Sequence, residues 1–84
     1  GGEPAQQRAR DGDARRILES ELKKEEEQLE QMRKEFNNGE PERRGDERNY
    51  QKYLDRVAEM KAAIARKESD IAAIKREISK LPAS

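Results

Sequence analysis

Residues 50–81 read YQKYLDRVAEMKAAIARKESDIAAIKREISKL, and this stretch decides the fold. Two rows of residues recur at seven-residue intervals, the second row three positions after the first. The first row is Tyr50, Val57, Ile64, Ile71 and Ile78, and the second is Tyr53, Met60, Lys67, Ile74 and Leu81. Such an a/d heptad pattern predicts a long helix with one apolar stripe that packs against another helix, as in a coiled coil.

The composition limits how such a chain can bury apolar surface. Charged residues make up 45% of the 84 residues and apolar residues 31%, with one Phe and no Trp. These proportions do not suit an ordinary globular core and favour long helices that are buried along a stripe only. Because the 19 basic and 19 acidic residues are interleaved and cancel, non-specific binding to nucleic acid or to an anionic membrane is not favoured.

Residues from about 13 to 37 predict a first helix with its own a/d stripe. Its members are Leu18, Leu22, Leu29, Met32 and Phe36, and Glu25 occupies the one polar position of the stripe. Asp13 is the expected N-cap, with Asp11 as the alternative, because a short carboxylate accepts from the free amides of a first turn. Residues 1–12 contain three Gly and a Pro, which predicts a disordered tail or linker.

The sequence NNGEP at residues 37–41 predicts the end of this helix. Asn and Gly tolerate the left-handed conformation of a helix C-cap, and Pro41 removes an amide donor. A loop over about 38–45 and a second helix over about 46–81, capped by Asp46, are therefore expected. Residues 82–84 then form a short tail that begins at Pro82.

Folding the chain at this loop predicts an all-α antiparallel helical hairpin. Pairing Phe36 with Tyr50 brings apolar residues together at nearly every step and places Glu25 near Lys61. The predicted hairpin core is Leu18, Leu22, Leu29, Met32, Phe36, Tyr50, Tyr53, Val57, Met60 and Ile64. The alternative is one continuous parallel coiled coil, because the heptad phase of the first helix continues into the second; two Gly and a Pro within the loop oppose that alternative.

In this register the end of the second helix extends beyond the first helix. Its seam residues Ile71, Ile74, Ile78 and Leu81 then lack an intramolecular partner. Since burying each is worth about 1.5–3 kcal/mol, self-association into a dimer or a four-helix bundle is expected. Lys67 within this seam is a candidate for fixing register or oligomeric state, or else its amine reaches solvent along the side of the helix.

These features predict a structural, oligomerising coiled-coil module without catalytic activity, cofactor or metal. The chain has no Cys and no His, and its Ser20, Ser69 and Ser79 fall on predicted helix surfaces without a general base. No apolar run reaches the length of a membrane-spanning helix, and no small-molecule substrate is implied. Two alternatives stay open, namely a helix that binds a heterologous protein and a weak nucleic-acid contact through the loop arginines Arg43, Arg44 and Arg48.

The segment GEPERRGDERNYQKYLDRVAEMKAAIARKESDIAAIKREISKL, residues 39–81, resembles the C-terminal charged helical region of a family of small exported bacterial proteins of unknown function. The distinctive part is GDERNYQKYLDRV, from Gly45 to Val57. Family members carry an export signal and a small N-terminal domain, followed by a Pro/Ala-rich linker and this helical segment. The resemblance implies a location in the cell envelope or periplasm and a chain that is the C-terminal part of a longer protein. It implies no catalytic or binding residues.

Overall fold

A computed structural model describes residues 4–45 and 49–82 of the chain. Two α-helices, α1 (Pro4–Phe36) and α2 (Tyr50–Lys80), run antiparallel and pack against each other, with a short 3-10 turn at Asn37–Gly39 after α1. The Cα atoms span 66 × 17 × 15 Å, so the molecule is a rod only two helices thick. The prediction of an all-α helical hairpin is confirmed. The alternative of one continuous helix is wrong, because the chain reverses direction between α1 and α2.

Helix α1 begins at Pro4, nine residues before the N-cap expected at Asp13. Proline suits a first turn, and Ala, Gln and Arg, which fill residues 5–10, are compatible with helix. Gly12 costs about 1 kcal/mol within a helix, which the surrounding turns offset. The prediction of a tail over residues 1–12 is therefore corrected for residues 4–12, and residues 1–3 lie outside the described part. Asp13 lies inside the helix and forms an ion pair with Arg16.

The chain leaves α1 through three consecutive residues with positive φ. Asn37, Asn38 and Gly39 have φ values of 48°, 56° and 89°. Asn tolerates this left-handed region better than most residues, and Gly adopts it without steric strain. The Asn37 side chain also donates to the Glu40 carbonyl oxygen at 3.0 Å, which fixes the turn. The NNG sequence thus sets the direction in which the loop departs.

Helix α2 begins at Tyr50 with Asn49 as its N-cap. The Asn49 side chain accepts a hydrogen bond from the Gln51 amide at 2.8 Å, which satisfies one of the free donors of the first turn. The sequence predicts that this helix starts at residue 46 with Asp46 as its N-cap. Residues 46–48 lie outside the described part of the chain. At the other end Leu81 is extended, with φ −76° and ψ 145°, and Pro82 follows it, as the sequence indicates.

The loop folds back along the first turns of α2. The Tyr53 hydroxyl donates to the Pro41 carbonyl oxygen at 2.7 Å, and the Arg56 guanidinium donates to the Glu42 carbonyl oxygen at 2.6 Å. Pro41 itself is buried. The start of α2 therefore packs against the loop.

This loop shifts the register of the hairpin away from the one expected. Glu25 contacts Lys67 rather than Lys61, a difference of six residues, and Arg15 contacts the carbonyl of Leu81 rather than lying level with Ile71, a difference of ten. The expected pairing of Phe36 with Tyr50 is therefore wrong. The physical reason is that the residues after Phe36 occupy the surface of α2 that α1 was expected to cover.

The core is a short apolar seam near the middle of the rod. Leu29, Ile64 and Ile71 are its buried residues, with 8%, 9% and 6% of their surface exposed. Leu22, Met32 and Phe36 are partly buried and pack against them. The other expected core residues, Leu18, Tyr53, Val57 and Met60, are half-buried. Tyr50 does not join the core, because it is 59% exposed beside the loop.

Candidate functional site

Lys67, Glu25 and Gln28 form a polar cluster inside the helix seam. The Lys67 ammonium donates to the Glu25 carboxylate and to the Gln28 side-chain oxygen, the latter at 2.8 Å. The Lys67 and Glu25 side chains are only 20% and 22% exposed. Glu25, the polar residue in the stripe of α1, thus contacts Lys67, the polar residue in the stripe of α2. Because moving either helix along the seam would leave a partly buried charge unpaired, this cluster favours one register.

Gln28 and Lys67 also define one long face of the hairpin, which we call the Lys67 face. Ile17 belongs to it, since the eleven residues from Ile17 to Gln28 make three helical turns. On α2, Ile74 and Leu81 follow Lys67 at intervals of seven residues and lie on the same side. The hydrogen bond between Lys67 and Gln28 joins the two helices along this face.

Ile17, Ile74 and Leu81 make an apolar patch at the chain-end half of the Lys67 face, here called the terminal patch. Ile17 is 66% exposed, which makes it the most exposed large apolar side chain among the described residues. Ile74 and Leu81 are half-buried. Arg15 donates to the carbonyl oxygens of Leu81 and Pro82 at 3.5 and 3.2 Å, so the end of α2 is held level with the turn of α1 that carries Ile17.

The opposite long face, here called the Glu68 face, differs in chemistry. Ion pairs join the helices across it, with Arg33 to Glu68 at 3.3 Å and Lys75 to Glu26 at 3.8 Å. These charges lie beside a groove above Leu29 and Ile71, whose side chains are already buried. Along this groove charges cover the apolar floor of the Glu68 face, whereas the terminal patch leaves apolar carbon exposed on the Lys67 face. Leu54, fourteen residues before Glu68 and therefore on the same side of α2, is 40% exposed nearer the loop.

The loop end carries a stack of arginine and tyrosine side chains. The rings of Tyr50 and Tyr53 are stacked with centroids 5.9 Å apart. The Arg43 guanidinium lies 5.6 Å from the Tyr50 ring and 6.0 Å from the Tyr53 ring, and Arg56 lies 5.7 Å from the Tyr53 ring. Such cation–π contacts hold the loop on α2. The tyrosine faces are used within the chain, as an anchor for the loop.

The structure separates the four residues that the sequence assigned to a self-association seam. Ile71 lies in the core, and Ile78 is half-buried. Ile74 and Leu81 are half-buried at the edge of the contact and belong to the terminal patch. The expectation that Ile71 lacks an intramolecular partner is wrong, because the shifted register places it in the core with Leu29.

Of the register candidates, Glu25 and Lys67 meet in the seam, and Lys61 is exposed. Sequence reasoning missed Ile17, which lies one position before the stripe residue Leu18. The available signal was its size: Ile17 is a large apolar side chain outside the a/d stripe of a helix whose other off-stripe positions are mostly polar.

Within residues 4–45 and 49–82, no group of three or more acidic side chains is arranged to hold a metal ion. Neither helix has a segment apolar and long enough to cross a membrane, judged over the described residues. Compared with protein-family models, curated proteins and solved structures, the chain matches none. What the arrangement offers chemically is an apolar patch, rimmed by charges, on a narrow helical rod.

Proposed function

We propose that this chain is a non-catalytic helical-hairpin module that self-associates through its Lys67 face. The observation that carries the proposal is the terminal patch, in which Ile17 is 66% exposed next to the half-buried Ile74 and Leu81. An apolar cluster with a polar rim is typical of protein interaction sites. A second copy of the same face offers an equally apolar surface to cover it.

The exposed area of the chain supports association. A compact monomer of 9.7 kDa would expose about 5,100 Å², whereas this chain exposes 6740 Å², an excess of about 1,600 Å². Two packed helices bury only the sides that face each other, and the described residues include three buried apolar side chains. Packing two hairpins face to face gives a four-helix bundle, in which half-buried seam residues become fully buried.

Burial of the terminal patch contributes directly to the free energy of dimerisation. Burying the two-thirds of Ile17 that is exposed is worth about 1–2 kcal/mol per copy. A symmetric dimer buries this side chain twice, and the remaining exposed parts of Ile74 and Leu81 add to it. Placing a charge at Ile17 in both copies should therefore weaken the dimer at least 30-fold, on the order of 2 kcal/mol or more.

Sedimentation equilibrium of the wild type and of two lysine variants tests the proposal. Ile17→Lys places a charge in the terminal patch, and Leu54→Lys places the same charge at a 40% exposed residue on the Glu68 face. The wild type and Leu54→Lys should dimerise with similar affinity, and Ile17→Lys should be largely monomeric at the same concentration. A wild type that stays monomeric at high micromolar concentration overturns the proposal and favours a heterologous partner for the patch.

A further inference from the structure

We infer that the two hairpins of the dimer lie side by side, with their chain ends at the same end of the bundle. In this arrangement Lys24 of one copy pairs with Asp70 of the second. The inference rests on the proposed self-association through the Lys67 face and adds to it the orientation of the partner and the residues that select it.

Symmetry leaves two simple ways to pack one Lys67 face against a second copy. With the two-fold axis along the rod, α1 of one copy lies on α2 of the other at the same level. With the axis across the rod, α1 lies on α1 and α2 on α2, and the two rods point in opposite directions. Because α1 extends from Pro4 about 20 Å beyond Ile17, the second arrangement overlaps about two-thirds of each rod when the patches meet, and α2 overlaps α2 only at its last turns.

The terminal patch is self-complementary in the side-by-side arrangement. Arg15 contacts the Leu81 carbonyl, so Ile17 and Leu81 lie at nearly the same level on different helices. When α1 lies on α2 of the second copy, Ile17 of the first copy therefore contacts Leu81 of the second. By symmetry, Leu81 of the first copy contacts Ile17 of the second. Both apolar contacts form at once, and the full length of the rods stays available for further burial.

Charges on the same face fit this arrangement. Lys24 lies four residues before Gln28, and Asp70 lies four residues before Ile74, so both belong to the Lys67 face. Lys24 precedes Glu25 by one residue, and Asp70 follows Lys67 by three. Because Glu25 and Lys67 are in contact, Lys24 and Asp70 lie at nearly the same level along the rod. Both are exposed, and neither has an ion-pair partner among the described residues.

Side-by-side packing supplies each of these charges with a partner from the second copy, twice per dimer. One contact opposes it, because Glu21 approaches Glu77 of the second copy; Lys80 lies 3.3 Å from Glu77 and reduces that repulsion. In the end-for-end arrangement Asp70 and Lys24 of the second copy lie about 20 Å apart along the rod, so this ion pair does not form. The role of Asp70 thus separates the two arrangements.

A charge-exchange experiment tests this inference. The single variants Lys24→Glu and Asp70→Lys each place like charges at both contacts of their own homodimer. Mixed together, they form a heterodimer in which both contacts join opposite charges. Native mass spectrometry at low salt measures the concentrations of the heterodimer and of the two homodimers. The relevant ratio is the squared heterodimer concentration divided by the product of the two homodimer concentrations. We expect this ratio to exceed the statistical value of about 4 at least tenfold, given two exposed ion pairs per dimer.

The controls separate the orientation from association itself. Glu30→Lys and Lys61→Glu exchange charges at exposed residues on the Glu68 face, and their mixture should give the statistical ratio. A dimeric wild type with a statistical ratio for Lys24→Glu and Asp70→Lys overturns the side-by-side orientation and leaves the proposed self-association standing. A monomeric wild type overturns both. Circular dichroism of each variant checks that the helices remain formed.

Discussion

Replacing Ile71 by Ala should destabilise the hairpin far more than replacing Tyr50 by Ala. Ile71 is 6% exposed in the core, whereas Tyr50 is 59% exposed at the loop end. The comparison is informative because pairing Phe36 with Tyr50 would give the reverse order. In that register Tyr50 would be a core residue and Ile71 would lie at the end of the helix contact.

The magnitudes follow from what each substitution removes. Ile71→Ala deletes three buried carbons, worth about 0.8 kcal/mol each, so we expect a loss of about 2–3 kcal/mol in the free energy of unfolding. A rod two helices thick relaxes around a missing side chain more easily than a globular core, which keeps the loss near the low end of the known range. Tyr50→Ala removes the ring contacts with Tyr53 and Arg43 at an exposed site, worth about 1 kcal/mol or less.

Urea unfolding followed by circular dichroism measures both losses. It should be done at a concentration where the midpoint no longer depends on protein concentration, so that association does not contribute. Equal losses for the two variants, or a larger loss for Tyr50→Ala, would refute the observed register and with it the assignment of Ile71 to the core.

Two further predictions concern the polar contacts. A double-mutant cycle of Glu25→Ala and Lys67→Ala should give a coupling free energy of about 1 kcal/mol, because both side chains are about four-fifths buried. Exposed ion pairs typically give only a few tenths of a kcal/mol. A coupling free energy near zero would contradict a role for this pair in setting the register. Tyr53→Phe removes the hydrogen bond to the Pro41 carbonyl and should lower stability by about 0.5–1.5 kcal/mol in thermal unfolding, whereas an unchanged midpoint would show that the loop is held without it.

The sequence predicts the elements of this fold well and their register poorly. The two stripes and the NNGEP stretch indicate two helices and the reversal between them, because these signals are local. Register depends on the loop, where Tyr53 and Arg56 bind the carbonyls of Pro41 and Glu42. A seven-residue repeat fits several registers almost equally well, and no local pattern reveals which backbone carbonyls a side chain will reach.

The candidate site is likewise poorly predicted from the sequence, because it depends on the register. Lys67 was recognisable as a polar residue in an apolar stripe, and Glu25 likewise, but their pairing follows from the register. The terminal patch depends on the register even more, since Ile17 and Leu81 are distant in sequence and are brought level by the contact of Arg15 with the end of α2. The sequence does not predict the early start of α1, because Gly12 and Pro4 disfavour a helix interior although the residues between them are compatible with helix.

The register that places Leu81 beside Ile17 is the central claim, and a distance between spin labels tests it directly. The chain contains no Cys, so Ser20→Cys and Ser79→Cys provide two unique labelling sites on exposed residues of α1 and α2. Electron spin resonance on labelled protein diluted into unlabelled protein isolates the intramolecular distance. The observed register predicts about 20–25 Å, from two helix axes 8–10 Å apart plus the label arms. A distance near 30 Å would indicate the register that pairs Phe36 with Tyr50, and one near 90 Å a continuous helix; either result would contradict the terminal patch.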